Sequence, residues 1–198
     1  MGNIVDDIRA NEDTFADRPF NEVDSLALAQ LSYARMPVNV PRLDVEATDV
    51  DLAMVGVRDL LRAECYDDMF GKVWSPSMNV DLLRAMCESP RWRDLRVGGY
   101  VDEFDPETTK QFSACVFDVG DGSSYVAFRG TDSTIVGWKE DFAMAFRRPV
   151  AAQESAARYL ADIAGRRDGP LMVGGHSKGG NLAVYAAANA PAAVQERL

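Results

Sequence analysis

Histidine is nearly missing from this chain: among 198 residues there is one, His176. Histidine is the usual general base near neutral pH, so a hydrolase that activates its nucleophile from within these residues has one imidazole to draw on. Positive charge is also short. Lys and Arg total 21 against 31 for Asp and Glu, a net charge of −10, and the acidic residues are spread along the chain rather than gathered in a tail. Such a surface repels a phosphate backbone, which argues against nucleic acid as a partner. The three cysteines, Cys65, Cys87 and Cys115, are scattered without C-x-x-C spacing, so neither a disulfide framework nor a zinc site is expected, and no cofactor or metal is implied.

Long apolar runs are absent too. None reaches the roughly 18 residues of a membrane span, and MGNIVDDIRANEDTF has no basic region followed by an apolar one, so neither a transmembrane segment nor a signal peptide is expected. Gly2 is not a myristoylation site, because Asp6 stands where that motif needs Ser or Thr. A cytoplasmic protein is the expectation. With 47% hydrophobic and 26% charged residues, the composition is that of an ordinary globular protein, long enough for one domain with a sizeable core.

Helical periodicity dominates the first half. In 22-EVDSLALAQLSYARM-36, Val23, Leu26, Ala27, Leu31 and Ala34 fall on one stripe with Asn21 as N-cap. Further helices are predicted over 49–64 and over 79–89, where Pro90 closes the segment. From about Val97 the pattern changes. The runs 111-QFSACVFDVG-120 and 124-SYVAFRG-130 flank a Gly-Asp-Gly turn and read as a β-hairpin, with a preceding strand near Val97–Val101. A mixed loop and helix over 131–146, an alanine-rich helix over 151–167 and an apolar strand over 170–175 follow, the strand without alternation, as for a central strand covered on both faces. The order predicts an α/β fold, with residues 1–95 as a helical region packed on the core and 96–198 as the core itself.

The apolar strand runs into 175-GHSKG-179, the G-x-S-x-G pattern of a nucleophile elbow, and an alanine-rich helix opens immediately after it. Glycines two before and two after the serine clear the space beside the adjoining strand and helix. On this reading Ser177 attacks a carbonyl and the Lys178 backbone N–H supplies one oxyanion donor, aided by the helix dipole. The Lys178 side chain is expected to be solvated on the first turn of the helix. A bland alternative is a Gly-rich turn whose serine caps the helix. The second oxyanion donor is expected in the loop after the strand 124–130, where the amide and hydroxyl of Thr131 are both well placed. Phe142, Met144 and Phe146 are expected in the core rather than at an acyl-binding surface.

The string FRGT followed by a Trp and an Asp, then GHSxGG opening an alanine-rich helix some 45 residues on, resembles the class 3 lipase-like branch of the α/β-hydrolases. More closely, FNEVDSLALAQLSY together with GHSKGGNLAVYAA resembles the bacterial Mbeg-like hydrolases, whose elbow also carries Lys after the serine. The resemblance covers most of the chain. It implies an α/β-hydrolase fold, Ser177 as nucleophile, the backbone N–H groups of Thr131 and Lys178 as oxyanion-hole donors, and Asp132, Ser133 and Trp138 within a lid or substrate-proximal segment running from Asp132 to Trp138. The implied substrate is a small-molecule or lipid ester. The fungal class 3 pattern has Leu or a similar residue at the position of Lys178, and its loop before the Trp is about a residue shorter.

A serine hydroxyl needs an adjacent base that is itself oriented by a carboxylate, and in this fold the acid and the histidine follow the serine in the chain. The 21 residues after Ser177 contain no His, and their one acid, Glu196, would lie on a continuing helix, about 28 Å along the axis at about 1.5 Å per residue. His176 is adjacent to Ser177 in a strand-end segment and is expected to be a packed, hydrogen-bonded structural residue rather than the base. The expectation is therefore an incomplete hydrolase: an esterase or lipase type enzyme acting through an acyl-enzyme, truncated before its triad Asp and His and inactive or nearly so as it stands. An unpaired edge beside the elbow strand would then favour self-association. The alternative is a non-catalytic, hydrolase-like protein that binds a partner or a lipid.

Overall fold

Alternation along two strands fixes the layers of this molecule. In 111–128, Phe112, Ala114, Val116, Val126 and Phe128 belong to one buried cluster, while Cys115, Phe117, Tyr125 and Ala127 belong to another. Successive side chains on a strand point to opposite faces, so a sheet built from this segment must be covered on both. A computed structural model describes residues 2–46, 51–132 and 134–198 and shows that arrangement. Among the described residues there are five strands and eight α-helices.

The strands are β1 (Met54–Gly56), β2 (Arg96–Asp105), β3 (Lys110–Asp118), β4 (Ser124–Phe128) and β5 (Leu171–Gly175). They lie in chain order across one mixed sheet. The first three pairings are antiparallel, and β4 pairs in parallel with β5, from Ser124 opposite Leu171 to Phe128 opposite Gly175. The turn between β3 and β4 uses Gly120 and Gly122, both at positive φ, as the Gly-Asp-Gly cluster predicts.

One face is covered by α1 (Ile4–Ala10), α2 (Glu22–Leu31), α3 (Tyr66–Phe70) and α4 (Pro76–Glu88). Asn21 caps α2 by accepting from the Val23 and Asp24 amides, and Asp24 returns a bond to the Asn21 N–H. The same carboxylate holds the buried guanidinium of Arg91, which also donates to the carbonyls of Asp13, Thr14, Arg18 and Pro19 and so ties the N-terminal loop to the end of α4. The opposite face carries α6 (Ala151–Arg166) and α7 (Lys178–Asn189), which bury Ala152, Ala156, Leu160, Ile163, Leu182 and Ala186 against β3, β4 and β5. Between β4 and α6 lies α5 (Ile135–Ala143), and the short α8 (Ala192–Gln195) ends the order. No helix among the described residues is long and apolar enough to cross a membrane.

Two helical expectations are corrected and one strand expectation is met in part. The helix predicted over 49–64 is not there: positions 49 and 50 lie outside the described residues, and Met54–Gly56 is an edge strand followed by two turns of 3-10 helix. Sheet pairing wins over helical periodicity at this place because Gly98 opposite Met54 lets the backbones close in; a Cβ there would stand 2.3 Å from the Ala53 carbonyl oxygen. Helix α2 stops at Leu31, five residues short of the predicted segment end, where the Ser32 hydroxyl turns back to the Ala29 carbonyl. Strand β5 lies at the edge of the described sheet, with β4 as its one neighbour and with a single backbone bond on its other side, from the Leu171 N–H to the Arg197 carbonyl; the unpaired edge expected beside the elbow strand is present, but the strand is half-buried beyond Leu171 rather than covered on both faces.

Candidate active site

Between β5 and α7 the backbone makes a turn that ordinary residues avoid. Ser177 sits at φ 57° and ψ −125°, one of three non-glycine residues at positive φ among the described residues, a conformation that costs on the order of 1–3 kcal/mol and persists where the surroundings enforce it. The surroundings here are the flanking glycines. A Cβ on Gly179 would stand 2.1 Å from the Phe128 carbonyl oxygen, and one on Gly175 would stand 2.5 Å from both that oxygen and the Gly179 carbonyl carbon. The end of β4 therefore packs directly into the elbow. Ser177 is exposed, and its hydroxyl makes no capping bond to α7, unlike an ordinary N-cap serine. Backbone bonds begin with Gly179 N–H to the His176 carbonyl and Gly180 N–H to the Ser177 carbonyl, so among the described residues the Lys178 N–H has no acceptor.

The Lys178 side chain, expected in solvent, is buried. Its ammonium donates to the Gln111 carbonyl at 2.6 Å, to Gln111 Oε1 at 2.9 Å and to Glu140 Oε2 at 2.9 Å, which uses all three of its donors. Glu140 is equally occupied: Oε2 also accepts the Gln111 N–H at 3.0 Å and Oε1 the Ala152 N–H at 2.9 Å. The first residue after the candidate nucleophile is thus bolted to the start of β3, to α5 and to the start of α6. Gln111 and Glu140 were not singled out in the sequence. The available signal was spacing, because Lys178, Leu182 and Ala186 share one face of α7 and all three are buried.

Thr131 follows β4 and lines the same cavity as Ser177. Its hydroxyl donates to Asp141 Oδ2, so the expectation that the hydroxyl as well as the amide faces an oxyanion is corrected: the side chain is engaged and the N–H alone remains without an acceptor among the described residues. Asp141 is the neighbour of Glu140 on α5. Consecutive carboxylates of one helix therefore hold the two loops that carry the candidate oxyanion donors, Glu140 through Lys178 and Asp141 through Thr131.

A cavity of ≈ 490 Å³ opens over Ser177, with Thr131, Asp132, Trp138, Asp141 and His176 in its lining and Tyr33, Trp74 and Met78 on the side of the N-terminal helices. Asp132 is half-buried and accepts from the Thr134 N–H and hydroxyl, closing the turn that starts α5. Trp138 is 57% exposed at the rim. Ser133, assigned with them to a lid, lies outside the described residues. Phe142 and Phe146 are exposed rather than in the core, whereas Met144 packs against the α6–α7 cluster.

His176 is exposed rather than packed, and it lines the same cavity as Ser177. Its Nδ1 is 3.0 Å from the Tyr33 hydroxyl. Burial raises the Tyr33 phenol above its usual range, with Arg129 opposing and Asp141 reinforcing the shift. No hydrogen bond joins Ser177 Oγ to a base among the described residues. Glu196 does not continue α7: that helix ends at Asn189, the chain turns at Pro191, and Arg197 folds back onto the carbonyls of Ala164, Arg167 and Gly169 at the start of β5. This acid therefore sits at the end of β5 opposite Ser177. No group of three or more His, Cys, Asp or Glu among the described residues is placed to hold a metal ion.

Comparison with known proteins adds one finding. No curated protein and no solved structure matches the chain. The family described as Mbeg1-like matches residues 86–198, more than half of the chain and a span that holds β2 to α8 with both Thr131 and Ser177. The chain belongs to the Mbeg1-like family.

Proposed function

We propose that this chain carries the nucleophile half of a serine hydrolase of esterase or lipase type, with an α/β-hydrolase core related to that of class 3 lipases and a cytoplasmic site of action. The observation that carries the reading is Ser177 itself: exposed in a cavity, held at φ 57° by glycines that nothing larger can replace, and free of the capping bond that would make it a structural serine. In the reaction Ser177 Oγ forms a bond to the ester carbonyl carbon while its proton passes to a base. The displaced π-electron pair comes to rest on the carbonyl oxygen, opposite the N–H groups of Lys178 and Thr131. As that intermediate collapses, the bond from the carbonyl carbon to the alkoxy oxygen breaks, the protonated base gives its proton to that oxygen so that the alcohol leaves, and the acyl-Ser177 that remains is hydrolysed by water.

On this reading the base and its orienting acid are not among the described residues of the site, where His176 is engaged with Tyr33, Asp141 accepts from Thr131 and Asp132 accepts from Thr134. That same observation favours a second reading, a hydrolase-like protein that binds a partner or lipid without turning it over. Intact-mass detection of fluorophosphonate labelling separates the two. Labelling that appears when a polypeptide supplying the histidine is present, and that is lost in Ser177→Ala, is the expected outcome of the first reading. Absence of labelling both alone and with any polypeptide that restores a histidine to the site refutes it.

A further inference from the structure

A second cavity, of ≈ 390 Å³, adjoins the first and shares Tyr33, Trp74, Thr131, Asp132 and Trp138 with it. Its charge sets it apart. Arg35, Lys72 and Arg129 line it against one carboxylate, Asp132, in a protein whose net charge is −10. Asp132 is already accepting from Thr134, while Arg35 and Lys72 are exposed and form no ion pair among the described residues.

Arg129 is the unusual member. Its side chain is 5% exposed and makes one hydrogen bond, from Nη2 to Asp102 at 2.8 Å, and its Nε is buried without an acceptor. A guanidinium has five N–H donors, and leaving them unmet away from water is costly unless an acceptor arrives. Anionic oxygens match that fork better than any neutral group does. A neutral ester would occupy the Ser177 cavity and leave the Arg35 and Lys72 charges, and the donors of Arg129 that Asp102 does not meet, unanswered.

We propose that the second cavity binds an anionic oxygen group, a carboxylate or a phosphate monoester, and that this group belongs to the molecule whose ester reaches Ser177. The substrate is then an ester with a charged end, seated with that end against Arg129, Arg35 and Lys72 and with Trp74 and Trp138 flanking the passage between the two cavities. The identity of the substrate rests on the hydrolase reading, but the anion site itself does not. Both can therefore be examined separately.

Calorimetric titration of the full chain carrying Ser177→Ala, with phenyl phosphate, benzoate and the neutral benzyl alcohol, tests the site without requiring turnover. Saturable binding of at least one anion and not of the alcohol is expected, with the tighter of the two anions naming the group. Neutralising the exposed pair in Arg35→Gln/Lys72→Gln leaves the buried Arg129–Asp102 contact intact, so the fold is kept. It should weaken the anion by roughly two- to thirty-fold, the sum expected for two solvent-exposed charges, and added salt should weaken it further. No saturable binding of either anion, or binding unchanged by the double substitution, overturns the proposal. Absence of fluorophosphonate labelling both alone and with a polypeptide that supplies a histidine would instead count against the nucleophile and leave this titration standing.

Discussion

Replacing Glu140 by Gln should be among the most damaging single-atom exchanges in this protein. The two side chains have the same shape, but the carboxylate accepts from the Lys178 ammonium and the Gln111 N–H on one oxygen and from the Ala152 N–H on the other. An amide offers one acceptor oxygen. Whichever way it is turned, its NH2 group faces a donor, either the Ala152 N–H or the Lys178 ammonium with the Gln111 N–H. Lys178 keeps its two bonds to Gln111 but loses its counter-charge at a site where the paired side chains are 0% and 2% exposed. Breaking one side of a buried ion pair costs about 3–5 kcal/mol; at 2–4 °C per kcal/mol for a chain of this size, the midpoint of thermal unfolding should fall by roughly 6–20 °C.

Thermal and urea unfolding of Glu140→Gln at neutral pH, beside Asp81→Asn in an exposed pair with Arg84, provides the assay; the exposed control should stay within about 1 kcal/mol. A double variant, Lys178→Met/Glu140→Gln, removes the stranded charge and should be no worse than Glu140→Gln alone, because contacting residues are not additive. A midpoint within 2 °C of wild type, or a double variant that loses the sum of the two singles, would show that the network is solvated and that Lys178 is not fixed by it.

Two helical glycines should respond in opposite senses: Gly179→Ala drives a Cβ to 2.1 Å from the Phe128 carbonyl oxygen and should cost at least 1–3 kcal/mol and abolish fluorophosphonate labelling. By contrast, Gly165→Ala on α6, with nothing within 4 Å, should stabilise by about 0.5–1 kcal/mol. Burial pushes the phenols of Tyr125 and Tyr100 from 10.0 up to about 12. Below pH 10 neither state loses these protons; between pH 10 and 12 the unfolded chain releases them while the folded chain holds them, so stability falls with rising pH across that window. Unfolding midpoints and tyrosinate absorbance measured together from pH 9 to 12 check this, and ionisation of all six tyrosines near pH 10 without unfolding would contradict it. Along β5 the free edge predicts pairing with a second copy, which light scattering after size exclusion reports as a dimer; a monomer at all concentrations would remove that expectation.

The sequence was most legible where chemistry and conformation are local. The elbow depends on five consecutive residues, and the hairpin depends on strand alternation around a Gly-Asp-Gly turn, so both can be placed without knowing what lies across the molecule. Lys178 could not be read that way. Its partners are 38 and 67 residues away, and a lysine at the start of a helix has every local reason to point into water. Only its i, i+4, i+8 alignment with Leu182 and Ala186 signals that this face is inward. The same limit applies to Met54–Gly56, whose strand exists because Gly98 admits it, and to β5, whose apolar composition describes a strand covered on both faces but cannot say how many neighbours it has.

Helix α5 joins these two kinds of information. Adjacent residues on a helix project about 100° apart at 3.6 residues per turn, so Glu140 and Asp141 reach in different directions from one turn: the first into the core to Lys178, the second toward the cavity to Thr131. The separation of the two candidate oxyanion donors is consequently set by a single helix rather than by the flexibility of two loops. It also follows that α5 cannot move as an independent lid. A displacement large enough to uncover the cavity would have to break the Glu140–Lys178 ion pair, the Thr131–Asp141 bond and the Ala152 N–H contact, and would release both donors from the helix that holds them. Access to Ser177 must then be governed at the rim, where Trp138 and Trp74 are exposed, while the floor of the site stays in place.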